Sequence, residues 1–226
     1  MEHSIQENLA TVRASLREGV RLIAVSKTKP VEDVQQAYDA GQRLFGENHA
    51  LEMRDKHAVL PNDIEWHFIG HLQSNKVKYI AEYVSLIHSI DSLSLLQVVD
   101  KEAAKHNRVI DCLLQFHIAT EETKFGLDQQ EAEALLQSDE YRAMQHVRII
   151  GVMGMATNTE NTQLIRSEFA HLRNLFTQLK QRYFANADSF REISMGMSHD
   201  YPIAMEEGAT LIRVGSAIFG ARNYNN

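Results

Sequence analysis

Eight short apolar runs, each followed by a polar or amphipathic segment, constrain this chain more than any other feature. The runs cover residues 21–26, 43–46, 65–70, 86–90, 109–118, 148–155, 192–196 and 211–215. Their length suits strands, and a strand buried on both faces reads as such a continuous apolar run. Between them lie segments of helical periodicity. One, 31–40, follows Pro30 and stops at Gly41, and another, 48–59, stops before Pro61. Segment 92–106 sets Leu93, Leu96, Val99 and Ala103 on one face, and 128–136 opens with an acidic cap. Segment 161–183 carries an apolar stripe that includes Leu164, Phe169, Leu172 and Leu179, and 202–207 ends at Gly208. A further amphipathic segment, 4–17, precedes the first run.

Strands alternating with helices predict βαβ units and a parallel sheet. Eight such units in about 200 residues predict a single (β/α)8 TIM barrel with an extra N-terminal helix. A doubly wound open sheet serves the same alternation with fewer strands, but no Gly-x-Gly-x-x-Gly turn follows the first run, which disfavours its dinucleotide-binding version. No linker, low-complexity tract or internal repeat divides the sequence, so residues 1–226 are expected to form one domain.

Composition narrows the function classes. The net charge of -7 argues against a nucleic-acid partner. The one cysteine, Cys112, lies in an apolar run, which excludes an intramolecular disulfide and suits a core position. The first residues show neither a basic nor an apolar signal region, and no apolar run approaches bilayer length. The expectation is a cytoplasmic protein without a membrane partner.

In a barrel of this kind the site lies at the C-terminal ends of the strands. Residues collected there include Lys27, Glu47, Asn48, His71, Asp91, Thr120 and Met155, then the stretches 194–198 and 213–216. Lys27 closes the first run, where partial desolvation lowers an amine's pKa and makes it a better nucleophile for a Schiff base. A lysine snorkelling to water from a strand end is the plainer reading. Lys29 lies two residues further on, and a strand's period of 2 does not separate the two. The glycine- and serine-rich stretches after runs seven and eight, around Ser194, Gly215 and Ser216, have the position and chemistry of a phosphate site. Arg213, at the end of the eighth run, must be paired or meet a ligand. Its permanent charge suits a fixed donor to an anion or a ring nitrogen. His67 and His71 are four apart, but on a strand that spacing is about 13 Å, so His67 is expected as a hydrogen-bonded barrel residue rather than a metal ligand. Met153, Met155, Met195 and Met197 cluster at run ends, where methionine packs or lines a planar ring. The charged stretch 121–126 reads as a solvated loop.

Several of these stretches, taken in order, resemble one family: Ala24-Val25-Ser26-Lys27-Thr28-Lys29-Pro30, Phe45-Gly46-Glu47-Asn48, and the run from His67 to Lys76. So do Lys124-Phe125-Gly126, Gly151-Val152-Met153-Gly154-Met155, Ser194-Met195-Gly196-Met197-Ser198 and the run from Arg213 to Gly220. The chain resembles the pyridoxal phosphate homeostasis proteins, similar in fold to the N-terminal barrel of alanine racemase, from about Leu22 to Arg222. The resemblance implies pyridoxal 5'-phosphate (PLP) carried as an internal aldimine on Lys27. It implies that Ser194 and the backbone of Gly215 and Ser216 hold the phosphate, with Arg213 facing the pyridine nitrogen. Asn48, Met155 and Met195 are expected around the cofactor. It further implies a monomer that buffers PLP for vitamin B6 and amino-acid homeostasis, serving PLP-dependent apoenzymes. Robust turnover is not expected, because arginine cannot accept the pyridinium proton and the chain ends about ten residues after the eighth run, without room for a racemase's second domain. A PLP-dependent racemase, a phosphosugar-metabolising barrel with Lys27 as Schiff-base lysine, and a partner-binding scaffold remain the alternatives.

Overall fold

A computed structural model describes residues 4–123 and 125–221; Lys124, in one of the family motifs above, and Arg222, where the resemblance ends, lie outside the described residues. Each of the eight apolar runs forms a parallel strand: β1 (Arg21–Val25), β2 (Leu44–Glu47), β3 (Glu65–Phe68), β4 (Leu86–Ile90), β5 (Ile110–Phe116), β6 (Val147–Gly154), β7 (Glu192–Ser194) and β8 (Leu211–Val214). They pair in chain order, and β8 closes on β1 through four register pairs from Arg21 with Leu211 to Ala24 with Val214. The result is a closed (β/α)8 barrel, so the open-sheet alternative is excluded.

The helices fall where the periodicity placed them: α1 (Ile5–Ala14), α2 (Val31–Asp39), α3 (Ala50–Val59), α4 (Leu93–Lys105), α5 (Gln129–Gln137), α7 (Thr162–Tyr183) and α8 (Tyr201–Glu206). Two short helices, α6 (Asp139–Ala143) and α9 (Ser216–Phe219), were not predicted; four or five residues give too few turns for a periodic signal. After β3 the chain makes a 3-10 helix over Ser74–Tyr79. Local chemistry explains the boundaries. Ser4 and Glu7 form a capping box on α1, as Asp128 and Glu131 do on α5. Pro30 precedes α2 as its N-cap, in extended conformation, rather than sitting inside the first turn. The extra helix α1 packs on α2 and α9, and Asn8 donates to the Ile218 carbonyl at 3.0 Å.

Two cores result. The larger fills the space between strands and helices, where α7 buries Ile165, Phe169, Leu172, Leu175 and Leu179. Burial of such side chains stabilises by roughly 1.5–3 kcal/mol each. The smaller, Ile23, Leu86, Leu113, Met153 and Leu211, plugs the barrel interior. Where β6 meets β7, Gly151 has φ 159, and a Cβ there would lie 1.9 Å from the Glu192 carbonyl oxygen, so no larger residue fits. Among the described residues no helix is long and apolar enough to cross a membrane.

Candidate functional site

The C-terminal strand ends surround a cavity of 210 Å³. Lys27 and Asn48 enter it from the loops after β1 and β2, and Met155 from the loop after β6. Met197, Ser198 and His199 come from the loop after β7; Arg213, Gly215 and Ser216 come from β8 and the start of α9. Six of the eight residues expected at the site therefore share one cavity.

Ser194 and Met195 do not. Strand alternation turns Ser194 into the barrel and sends Met195 outward into the helix-facing core, where it is fully buried. Ser194 Oγ accepts from Arg213 Nη1 at 2.5 Å and lies 2.8 Å from His88 Nδ1. Its hydroxyl is thus engaged beneath the cavity, with Arg213 and His88, and does not line the cavity wall. Two serines, Ser198 and Ser216, line the cavity, and Ser198 Oγ accepts from the Gly215 N–H at 3.2 Å and the Ala217 N–H at 3.5 Å. The loop that carries Ser198 turns at Gly196, φ 100, a conformation that side chains disfavour. The first turn of α9 leaves the Ser216 N–H without an intrahelical acceptor, a donor well suited to an anion.

Below the cavity runs a buried hydrogen-bonded row. Arg213 is 3% exposed; besides Ser194 it donates from Nη2 to the Gly154 carbonyl at 3.1 Å. Burial lowers its pKa to about 10, opposed by Asp200, so it stays a cation at neutral pH. His88 Nε2 lies 2.9 Å from His67 Nδ1, which fulfils the expectation of a bonded His67. Burial, aided by Arg21, pushes His67 down to about 3. Burial pushes His88 well below its ordinary value, with help from His67 and Arg213. Both rings are neutral at pH 7. Because guanidinium only donates, the Ser194 hydroxyl proton is left for His88 Nδ1. His88 then donates from Nε2 to His67. The strand β4 residue His88 was not singled out in the sequence, since a histidine in an apolar run reads as packing.

The β1 end is organised differently. Residues 26–29 form a turn closed by the Lys29 N–H on the Ser26 carbonyl at 3.1 Å. Lys27 and Thr28 occupy its central positions, and Thr28 has φ 63, an unfavourable value for a β-branched residue. The turn also separates the two lysines. Lys29 Nζ donates to the carbonyls of Phe219, Gly220 and Ala221 at 3.0, 3.3 and 3.0 Å, while Lys27 lines the cavity. Beneath the turn is a buried ionic cluster. Lys56 Nζ, from α3, donates to Ser26 O at 2.7 Å, Glu47 Oε1 at 2.6 Å and Glu52 Oε1 at 2.8 Å. Ser26 Oγ donates to Glu47 Oε1 at 2.7 Å, and the Thr28 N–H to Glu52 Oε1 at 2.6 Å. Desolvation raises the Glu47 carboxyl to about 7, opposed by Lys56. Lys56 was missed by the sequence reading; the only local signal was its spacing of four from Glu52, which ordinarily marks a surface pair.

These groups fit PLP by their chemistry: an amine for the aldehyde, a buried cationic donor, exposed backbone N–H groups and a hydroxyl for the phosphate. Val25, Ile69 and the two methionines supply apolar wall for a ring. A neighbouring cavity of 460 Å³ shares Asn48 and is walled by His49, His71, Gln73 and Lys76. His71 also stacks on Phe125, centroids 4.1 Å apart, and lies 3.6 Å from Asp91.

The chain matches the alanine racemase N-terminal domain model over residues 2–223. It is 40% identical over 206 residues to a pyridoxal phosphate homeostasis protein of Aquifex aeolicus, covering 90% of this chain and 88% of that one. The Escherichia coli protein of that name is 35% identical, with 99% of both chains covered. The structure of PipY from Synechococcus elongatus with PLP bound superposes with a TM-score of 0.86 at 38% identity, covering 96% of this chain and 100% of that one. An alanine racemase of Bartonella henselae, solved with covalently bound pyridoxal phosphate, superposes at 0.72 with 17% identity, and this chain spans 63% of its length and is itself 98% covered. That likeness concerns the fold alone. The closed barrel, the cavity at its strand ends and the full-length matches make this chain a member of the alanine racemase N-terminal domain family, among its pyridoxal phosphate homeostasis proteins.

Proposed function

We propose that this chain binds pyridoxal 5'-phosphate in the 210 Å³ cavity and serves in the cell's PLP and amino-acid homeostasis. The observation that carries the reading is the meeting of Lys27, Arg213 and the Gly215–Ser216 backbone on one cavity. When bound, the cofactor supplies an aldehyde for covalent attachment and an electron-withdrawing ring. Lys27 would hold the cofactor through its amine, which is the group suited to condense with that aldehyde. The Ser216 N–H at the start of α9 and the Ser198 hydroxyl, itself seated on the Gly215 and Ala217 N–H groups, would hold the phosphate. Asn48 and Met155 border the ring, and Arg213 donates to the ring nitrogen from its fixed seat on Ser194 and Gly154.

Arginine holds its proton and gives the ring nitrogen none, so carbanion chemistry gains little there. The chain therefore acts as a PLP carrier, without sustained turnover, for PLP-dependent apoenzymes of the cytoplasm. Lys27 reacts reversibly, which suits release as well as capture. A single domain and a monomer are sufficient for this role.

Wild-type protein loaded with PLP should show the absorbance band of a lysine-bound cofactor and, after borohydride reduction, a mass adduct on Lys27. Lys27→Ala should lose both while keeping its melting temperature. Absence of an adduct in fully loaded wild-type protein defeats the reading. Amino-acid racemisation is a second reading, favoured by His199, a second titratable group on the cavity that Lys27 lines. Multiple turnovers with L-alanine or another amino acid would replace the carrier by an enzyme.

A further inference from the structure

Lys27 lies in a turn whose flanking residues are both tied to a single ammonium. The Ser26 carbonyl accepts directly from Lys56 Nζ at 2.7 Å. The Thr28 N–H donates at 2.6 Å to Glu52 Oε1, the same atom that accepts from Lys56 at 2.8 Å. The Ser26 hydroxyl donates to Glu47 Oε1, which also accepts from Lys56 at 2.6 Å. The three protons of the ammonium are thereby all used. The side chains of Lys56 and Glu47 are 6% and 0% exposed, so this cluster is shielded from water and from salt.

The strain of the turn makes the tether meaningful. A threonine at φ 63 persists only where its surroundings over-determine it. Here the hydrogen bond from its own N–H to Glu52 supplies that determination. Released from it, Thr28 would relax toward negative φ. The peptide between Lys27 and Thr28 would then rotate, changing where the Lys27 side chain points. A surface lysine at a helix position needs none of this. Burying an ammonium and a carboxylate costs several kcal/mol per ion, and an apolar pair of similar volume packs as well or better. The cluster thus makes sense through the geometry it imposes.

We propose that Lys56, acting through Glu47, Glu52 and the backbone of Ser26 and Thr28, is a positioning residue for the Lys27 amine. The proposal rests on the reading of Lys27 as the cofactor lysine for its consequence, but the positioning itself concerns the cofactor-free chain.

Two variants test it. Lys56→Met together with Glu47→Gln removes both buried charges, so folding is retained while the ammonium tether is lost. Glu52→Ala removes the Thr28 acceptor and one of the three Lys56 acceptors while keeping the Lys56 bonds to Ser26 and Glu47, at a side chain 25% exposed. In cofactor-free protein, the labelling rate of Lys27 by an amine-reactive sulfonate is followed by peptide mass spectrometry, with Lys29 as internal reference. In PLP-loaded protein, the attachment rate and the induced circular dichroism of the bound band are measured. The double variant should label Lys27 at a rate changed at least about tenfold relative to Lys29, attach PLP about tenfold more slowly and alter the dichroism. Glu52→Ala should show the same changes at about threefold. Wild-type labelling ratio and dichroism in both variants overturn the proposal and leave Lys56 a core staple, whatever the melting temperatures. If Lys27→Ala still forms the lysine-bound band, the cofactor reading fails instead. The labelling ratio then still decides whether Lys56 orients Lys27.

Discussion

The two sides of the cavity are built from opposite materials. At β1 and β2 the support is ionic: Lys56, Glu47 and Glu52 under a strained turn. At β7 and β8 the only charge in the row is the Arg213 cation, and its supports are backbone and neutral groups: a glycine turn, the Ser198 hydroxyl on two N–H groups, and the Ser194, His88 and His67 row that seats Arg213. The difference teaches what each side must do. A phosphate brings its own charge, so its cradle needs only donors that water does not compete for. A nucleophilic amine must be aimed at the cofactor, and here the ionic cluster holds the backbone on both sides of it.

The contrast can be broken most sharply at Lys56. Lys56→Met alone leaves two carboxylates facing an apolar side chain and should cost about 3–5 kcal/mol. For a chain of this size that lowers the melting temperature by about 2–4 °C per kcal/mol, seen by calorimetry at pH 8. A loss under 1 kcal/mol would mean the ionic side is no more committed than the neutral one.

Next comes pH. The folded Glu47 carboxyl, raised from 4.5 to about 7, holds a proton that the unfolded chain has already released in that window. Stability from this group is therefore greatest below pH 4.5 and falls as pH rises toward 7, by at most about 3 kcal/mol. The difference in unfolding free energy between wild type and Glu47→Gln should show this slope, and a flat difference between pH 4.5 and 7 would contradict it. No comparable slope is expected from His67 or His88 above pH 7, since both are neutral there in either state.

Ser194→Ala tests the neutral side. It removes the acceptor of Arg213 and the donor of His88 and should cost about 1–3 kcal/mol, while leaving covalent attachment at Lys27 intact. A loss of attachment would place Ser194 in the cofactor site after all. The smallest effect belongs to Ser198→Ala, about 1 kcal/mol or less in stability, read instead as weaker retention of PLP in the loaded protein on dilution. Unchanged retention would move the phosphate elsewhere.

Much of this molecule was legible before any coordinates. The eight strands appear within a few residues of their apolar runs because a barrel strand is buried on both faces and cannot disguise itself. The long helix α7 announced itself by its stripe. Six of the eight expected site residues meet in one cavity because a barrel gathers its strand ends, so position along a strand is already position in the site. What the sequence left open has physical causes. Ser194 and Ser198 have the same chemistry four residues apart, and only the direction of β7 shows that one faces the interior. Lys56 sits in a helix of mixed charge, α3, whose pattern gives no hint that its lysine is buried. His88 is hidden in an apolar strand.

Alone, the sequence determined the barrel and the strand ends gathered on one face, because periodicity is a local property, while the class of chemistry came from the ordered family motifs. Which lysine points into the cavity was settled only in three dimensions. Lys29 reaches the carbonyls after α9, 190 residues and more away, and Lys27 turns inward on a threonine strained by Glu52. Those partners come from distant parts of the chain, and no local pattern encodes a contact that exists only once β8 has closed on β1.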